Sequence, residues 1–277
     1  MNHRLISFGG TAISIAFQDG RPAELVDFLF RHVPASPPRE PWTTLRIERQ
    51  PEATGFTLWQ DDTRLATGEP DTSMAHSLMS QACFTLAYDG RDGLMLHAAG
   101  ARHSGQTILL PGKSGAGKST LTAWLLAHGG RYLTDELLYV AEGSDLVRGF
   151  ARPLTIKPSA RHLLPGLLKV PVDDPGILRA GTADMIHPPS FGSDLVSGDS
   201  PPGLIIFPTY QEECQFELRP LSTAQAAFEL MSFLANARNL AGHGLPQAIR
   251  LAGAAPAYSL TFSDLEQAGR SIIDLLR

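Results

Sequence analysis

The nonapeptide GKSGAGKST, residues 112–120, follows the pattern G-x-x-x-x-G-K-[ST]. Its glycines allow a tight turn, so backbone N–H groups can converge on phosphate oxygens, and the start of a helix adds a positive dipole end. An apolar strand, TILL, leads into the segment and an apolar helix, TLTAWLLAH, leads out of it, as this chemistry requires. The pattern predicts a nucleotide phosphate site. The expected contact residues are Gly112, Lys113, Ser114, Gly115, Ala116, Gly117, Lys118, Ser119 and Thr120.

Two side chains of this segment have distinct expected roles. Lys118 would reach the β- and γ-phosphates, and the Ser119 hydroxyl would bind Mg²⁺. The predicted cofactors are therefore ATP and Mg²⁺.

A metal site of this kind needs an acidic partner. Many nucleotide-binding proteins place an aspartate at the end of a later apolar strand, but the later strand GLIIFP ends without an acid. The nearest acids are Asp135 and Glu136, which a helix, a Gly-Gly turn and a short strand would return to the segment. Asp135 is the expected metal ligand beside Ser119. One carboxylate could organise the metal and the other could take a proton from an attacking hydroxyl, and the residues leave open which is the base. A solvated turn pair is the alternative.

His97 is a further catalytic candidate. It lies 21 residues before Lys118, at the end of the predicted strand GLMLH. A mixed sheet could bring it near the phosphates, although a lone histidine at a strand end is more often structural.

The segment around these residues resembles the catalytic domain of bacterial HPr serine kinase/phosphorylase. The stretch LLPGKSGAGKSTLTAWLLAHGGRYLTDE fits that family without gaps, and the strong match covers residues 94–160. The resemblance implies that His97 is the active-site histidine, Lys118 the phosphate lysine and Ser119 the metal-binding serine. It also implies that Asp135 and Glu136 replace the family's paired aspartates, of which the second accepts the proton.

The chain is most similar to HPr kinase-related proteins of bacterial biosynthetic clusters, through FARPLTIKPS and APAYSLTFSDLEQA. Some such relatives phosphorylate a serine in a precursor peptide of the lasso type. The resemblance implies a P-loop kinase domain with a mixed central sheet over residues 91–277. Residues 1–90 do not resemble the N-terminal domain of the bifunctional enzyme, and their strand and helix patterns predict a small α+β N-terminal domain that could have a substrate or regulatory role. The resemblance leaves a homo-oligomer open.

The chain departs from the family in three places. The metal-binding E-I-R-G motif is replaced by TIKP, residues 155–158, and the later P-G-R-N loop by RPLST, residues 219–223. The acidic pair is D-E rather than D-D. These changes disfavour the reverse, phosphorylase reaction more than the kinase reaction. Arg152 and Lys157 could instead form a phosphate clamp, with surface cations as the alternative.

Composition and charge indicate which partners and which cellular compartment to expect. The 277 residues carry a net charge of −5, which gives no reason to expect nucleic acid or an anionic membrane as partner. The two cysteines, Cys83 and Cys214, lack metal-ligand spacing and are expected to be reduced thiols. The first ten residues lack the apolar stretch of a secretion signal, and no run reaches the length of a membrane span, so we expect a cytoplasmic protein.

The elements that must position the site follow from periodicity. Alternating patterns predict strands at TAISIAF, TTLRIER, FTLWQDD, GLIIFP and FELRPL, and two strands joined by a turn at Ser104-Gly105. Helices are predicted at PAELVDFLFRHV, TSMAHSLMSQACFTLAY, STAQAAFELMSFLANARNLA and FSDLEQAGRSIIDLLR, the last with a capping box from Ser263 to Glu266. The proline-rich stretch 33–41 is a predicted loop, and residues 160–203 form a predicted functional loop region.

The leading hypothesis from the sequence is an ATP-dependent kinase that acts on a serine hydroxyl of a peptide or small protein. A kinase for a small hydroxylated metabolite is the first alternative. The second is a nucleotide-dependent regulatory module that transfers nothing. One chain does not identify the acceptor.

Overall fold

The computed structural model describes residues 1–34, 40–49 and 55–277. The central part of the predicted loop 33–41 lies outside these residues. In the described part of the chain, the fold is mixed α/β and is built around three sheets. Among the described residues, no helix combines the length and apolar character that crossing a membrane would require.

The first sheet has five strands in the order β1-β2-β3-β4-β5. All its pairs are antiparallel except β2 with β3, which run parallel. Its strands are Asn2–Phe8, Thr11–Phe17, Thr44–Arg49, Phe56–Gln60 and Thr63–Glu69. Two helices pack against it, α1 at Arg21–Phe30 and α2 at Asp71–Tyr88. The pattern predicted the three middle strands and both helices, but not the outer strands β1 and β5.

The second sheet has eight strands, in the order β10-β9-β6-β7-β14-β16-β15, with β8 also paired to β6. Strands β7, β14 and β16 are parallel to one another, so their carboxyl ends lie at one edge. The strands are β6 Gly93–His103, β7 Gln106–Pro111, β8 Arg131–Thr134, β9 Leu137–Ala141, β10 Val147–Gly149, β14 Pro202–Tyr210, β15 Glu217–Leu221 and β16 Ala257–Phe262.

Strand β6 changes partners along its length. Its first half pairs with β9, up to His97 opposite Leu137, and its second half pairs with β7 and β8, from Ala98 opposite Pro111. His97 was predicted at a strand end. It lies instead within a continuous eleven-residue strand, at the point where the partner changes.

The predicted loop region 160–203 contains regular structure. Strand β13, Asp184–Ile186, pairs with β11 and β12 in a small third sheet. The remaining elements there are β11 Leu154–Ile156, the short helix α4 Leu164–Leu167, β12 Ile177–Leu178, and 3₁₀ turns at Pro158–Leu163 and Pro188–Phe191.

The C-terminal helices differ from their predictions. The predicted helix 222–241 is broken, because α5 covers only Thr223–Met231 and a 3₁₀ turn follows at Ala237–Asn239. The next helix is α6, Leu245–Gly253. The predicted capping box at Ser263 is wrong. Asp264 is the N-cap of α7, Leu265–Asp274, and accepts from the Gln267 N–H, while Ser263 donates to the carbonyl of Cys214.

The two large sheets share packing through α2. The buried face of α2 belongs to one apolar cluster with the five-stranded sheet, and this cluster also contains Met95, Tyr139 and Phe150 from the second half of the chain. The division at residues 90 and 91 therefore stays a prediction, since the apolar packing crosses it.

Candidate functional site

The 112–120 segment forms the turn between β7 and helix α3. Strand β7 ends at Pro111 and α3, Lys118–Ala127, begins directly at the lysine. Gly115 and Gly117 have φ values of 89° and 92°, the left-handed region that side chains other than glycine rarely adopt. The helix start therefore points its free N–H groups into the turn, as the sequence predicts for an anion site.

Gly117 also packs closely against its neighbours. A Cβ at this position would lie 2.6 Å from Phe262 Cζ and 3.4 Å from Tyr210 Cβ. The backbone N–H of Tyr210 donates to the Ala116 carbonyl over 3.1 Å. The ends of β14 and β16 thus support one side of the turn.

The Lys118 ammonium lies inside the turn. It donates to the carbonyls of Gly112 at 2.7 Å and Lys113 at 3.0 Å, and its third contact is His97 Nε2 at 3.2 Å. Burial lowers the pKa of Lys118, and the charges of Asp135 and Glu136 act in the opposite direction. With three internal acceptors, the ammonium is positioned where a phosphate chain would meet the N-terminus of α3.

The acidic pair forms the turn between β8 and β9, which both pair with β6. The N–H of Ala98 donates to the Glu136 carbonyl over 3.0 Å. Because β6 crosses beside the end of β7, this turn is brought next to the start of α3. The sheet topology therefore places the two carboxylates beside Lys118, as the sequence predicts.

Glu136 accepts from two cationic or polar groups. Its Oε1 lies 2.9 Å from His97 Nδ1, and its Oε2 lies 3.1 Å from an Arg152 guanidinium nitrogen. Burial alone would raise the pKa of Glu136, but the His97 hydrogen bond and the charges of Arg152 and Lys118 outweigh it and lower that pKa to about 2. Lys118, His97, Glu136 and Arg152 form one continuous hydrogen-bonded chain.

Asp135 has a different environment. Its Oδ2 accepts from the Thr155 N–H over 2.9 Å, while its buried Oδ1 has no hydrogen-bond partner among the described residues. Burial raises its pKa to about 6, against the lowering effects of Arg152, the Thr155 N–H and the adjacent Ser119 hydroxyl. An unpartnered carboxylate oxygen next to a hydroxyl fits Mg²⁺, which prefers oxygen ligands and keeps several waters. No cluster of three or more His, Cys, Asp or Glu side chains suited to a metal forms in the described part of the chain.

The two candidate clamp cations occupy different positions. Arg152 is buried, with 3% of its side chain exposed, and also donates to Thr155 Oγ1 over 2.6 Å. Burial opposes its charge, yet Cys83, Glu136 and Asp135 raise the pKa of Arg152. Lys157 is exposed and donates to Ser114 Oγ over 2.8 Å. Lys157 thus contacts the 112–120 turn directly, whereas Arg152 is held by Glu136 and Thr155.

Two residues that contact the site, Thr155 and Cys83, were not predicted from the sequence. Thr155 bonds both Asp135 and Arg152. The buried thiol of Cys83, on α2, lies against Arg152, and burial raises the pKa of that thiol to about 12. Thr155 is the first residue of the TIKP segment, whose place in the family motif could have indicated a contact with the site. Nothing local in the sequence links α2 to Arg152, because the two lie about 70 residues apart.

The RPLST segment lies away from the turn. In the antiparallel pair of β15 and β16, Leu221 is opposite Ala257, at the other end of β16 from Phe262. Five residues of strand separate these ends, roughly 17 Å. Ser222 caps α5 there in a capping box with Gln225. Within this chain, the segment does not line the candidate site.

A cavity of about 390 Å³ lies elsewhere, between the N-terminal sheet and the loop after β13. It is lined by residues that include Phe8, His32, Phe150 and Asp199. None of the predicted site residues lines it.

Comparison with known proteins gives limited further information. No protein-family profile matches the chain, and no curated protein matches it. Among solved structures, the chain is similar to the Hpr(Ser) kinase/phosphatase from Coxiella burnetii, with 15% sequence identity and a TM-score of 0.31. The alignment covers 66% of this chain and 87% of that chain. A similarity at this level carries no argument, and the family resemblance of residues 94–160 stays a prediction.

Proposed function

We propose that the chain is an ATP-dependent kinase of the HPr kinase type, which transfers a phosphoryl group to a serine hydroxyl of a peptide or small protein. One observation carries the proposal. The lysine and serine that begin α3 share a single polar cluster with the Asp135-Glu136 turn, through Lys118 bonded to His97 and His97 bonded to Glu136. A glycine-rich anion turn and a pair of carboxylates are the two parts that transfer to a hydroxyl requires.

The residues divide between binding and charge control. The N–H groups of the 112–120 turn and Lys118 would hold the phosphates, and Ser119 with Asp135 would hold Mg²⁺. When bound, ATP supplies the phosphoryl group and Mg²⁺ neutralises part of its charge. Asp135 suits the metal role because its free oxygen is buried beside Ser119.

Glu136 is the proposed proton acceptor. Its side chain is 31% exposed, so an acceptor hydroxyl can approach it. A carboxylate with a pKa of about 2 is a weak base. Phosphoryl transfer runs through a loose transition state in which positioning matters more than base strength, so a well-held weak base is sufficient. His97 fixes the orientation of Glu136 and links it to Lys118.

The proposal is tested by following radioactive γ-phosphate. The protein is incubated with Mg²⁺, labelled ATP and a pool of serine-containing peptides, alongside the same peptides with alanine in place of serine. We expect label on the serine peptides only, and its loss in Glu136→Gln. Label on small hydroxylated metabolites instead would replace the peptide acceptor. Tight ATP binding without transfer to either would favour the regulatory module.

We further propose that the reverse, phosphorylase reaction is absent. The TIKP segment places a backbone N–H, not a carboxylate, against Asp135. Loss of one charge-stabilising contact typically costs about a hundredfold in rate. Phosphorylated product made by the enzyme is freed of nucleotide and incubated with enzyme, Mg²⁺ and millimolar phosphate. Pyrophosphate should form at least about a hundredfold more slowly than product forms from ATP, and comparable rates would contradict the proposal.

A further inference from the structure

The sheet order fixes two different sides of the 112–120 turn. Strand β7, which leads into the turn, lies between β6 and β14. The β6 side holds His97 and the acidic pair, and the β14 side ends at Tyr210. If the proposed function holds, the reacting end of the nucleotide must face the acidic pair. The nucleoside end then leaves the turn on the β14 side.

Tyr210 is an exposed aromatic residue at that place. Its side chain is 44% exposed, although it stands at the end of a buried strand. Its ring meets the ring of Phe262 edge-on, with 5.7 Å between the centroids, and Phe262 is only 1% exposed. Phe262 therefore supports one part of the tyrosine ring, and the rest of that ring faces solvent.

Tyr210 is also fixed to the turn itself. Its N–H bonds the Ala116 carbonyl, and its Cβ lies 3.4 Å from the position that a Cβ on Gly117 would take. The backbone of Tyr210 thus places its aromatic ring beside the first residue of α3, on the side opposite the catalytic acids. Aromatic rings presented in this way bind nucleobases by stacking.

We propose that Tyr210 forms a nucleobase subsite, in which its ring stacks on the base of a nucleoside triphosphate whose phosphates occupy the 112–120 turn. The inference rests on the proposed function for the phosphate end of the ligand. It adds a site for the base and the residue that contacts it.

The experiment compares ATP with inorganic tripolyphosphate, which carries the phosphate chain without a base. Binding of each ligand with Mg²⁺ is measured by calorimetry. Tyr210→Ala should weaken ATP binding by roughly tenfold or more, the usual loss for one stacked base, and leave tripolyphosphate binding within about twofold. The alanine keeps the backbone N–H that bonds Ala116, so the turn is preserved.

Two control variants sharpen the comparison. Tyr210→Phe keeps the stacking ring and should bind ATP normally. Phe84→Ala removes another exposed aromatic ring, 58% exposed on α2, and should change neither ligand. Unchanged ATP affinity in Tyr210→Ala, or an equal loss for both ligands, overturns the subsite alone. Failure of the unmodified protein to bind either ligand overturns the proposed phosphate site, and the subsite with it.

Discussion

Asp135 and Glu136 are adjacent carboxylates whose surroundings move their pKa values apart, to about 6 and about 2. The difference arises because Glu136 accepts from His97 and Arg152, whereas Asp135 is buried with one oxygen unpartnered. Two carboxylates with opposite environments can perform different tasks. The sequence predicted that the two carboxylates divide the work but left open which is the base, because the difference in pKa depends on Arg152 reaching Glu136 across 16 residues.

Replacing Lys118 tests the phosphate site. Lys118→Ala removes the charge that would face the β- and γ-phosphates, and we expect ATP affinity to fall by about a hundredfold. Calorimetry measures the affinity, and a thermal melt checks the fold, because the carbonyls of Gly112 and Lys113 lose a donor. Lys169→Ala, at an exposed lysine, is the matched control. Unchanged affinity in a folded Lys118→Ala protein would exclude the turn from nucleotide binding.

Removing charge from the acidic pair separates binding from chemistry. Glu136→Gln and Asp135→Asn keep size and shape, so ATP should still bind while phosphoryl transfer falls by roughly 10²-fold or more. Glu142→Gln, at an exposed glutamate, should transfer at the normal rate. A double variant of the pair with normal turnover would remove both residues from the mechanism. His97→Ala should act in the same direction, since it releases Glu136 from Lys118.

Helix α3 begins in the 112–120 turn, and α7 packs against α3. Gly269 of α7 lies so close to the Trp124 ring that an added Cβ would stand 2.2 Å from it. The Trp124 indole N–H also donates to Glu266 over 2.6 Å. The missing side chain of Gly269 therefore sets the distance between these two helices, and Trp124 lies five residues after Ser119.

Gly269→Ala should destabilise the protein by about 1–3 kcal/mol, the typical cost of overpacking, even though alanine favours helices. Chemical denaturation measures the change in the free energy of unfolding. Gly253→Ala is the matched control, because this helical glycine has its nearest neighbour at 3.8 Å. Equal stability of the two variants would show that α7 can shift away from Trp124 without cost.

The local sequence pattern predicted most elements, but it misplaced the N-cap of α7 and did not include the N-cap of α5. Ser222 and Gln225 form a capping box whose S-x-x-Q spacing is visible in the sequence. At α7 the predicted cap fell one residue early, because Ser263 and Asp264 both precede an acid or amide by three residues. Glu266 is drawn to Trp124 instead, a tertiary contact that spacing cannot show. The outer strands β1 and β5 do not alternate regularly between apolar and polar residues, so their sequences did not predict strands.

Across the whole molecule, a histidine contact joins the N-terminal helix α1 to the residues after β13. His187 is 3% exposed and packs against the rings of Phe28 and His32, at centroid distances of 4.3 and 4.8 Å. Burial first, and then the neighbouring His32 and Arg31, lower the pKa of His187 to about 3.

This contact should make stability depend on pH. Below pH 6.5 the unfolded chain protonates His187 while the folded chain does not until about pH 3. The neutral, buried His187 therefore makes its full contribution to the free energy of unfolding above pH 6.5. That free energy decreases as the pH falls from 6.5 toward 3, by at most about 1.4 kcal/mol per pH unit. His187→Phe should flatten the loss between pH 6 and 4 in denaturation experiments. His162→Gln, at an exposed histidine, should leave the slope unchanged.

The lysine that closes the turn has a consequence for selectivity among anions. Lys118 already donates to the carbonyls of Gly112 and Lys113 and lies 3.2 Å from His97 Nε2. An incoming anion does not find a vacant charge but must exchange with acceptors that are in place. Chloride, which offers little hydrogen-bonding capacity, gains almost nothing from that exchange, whereas a polyphosphate repays it with several charged oxygens at once. The protein's own acceptors thus compete with the ligand for the Lys118 ammonium, and only a strong hydrogen-bond acceptor such as a polyphosphate displaces them.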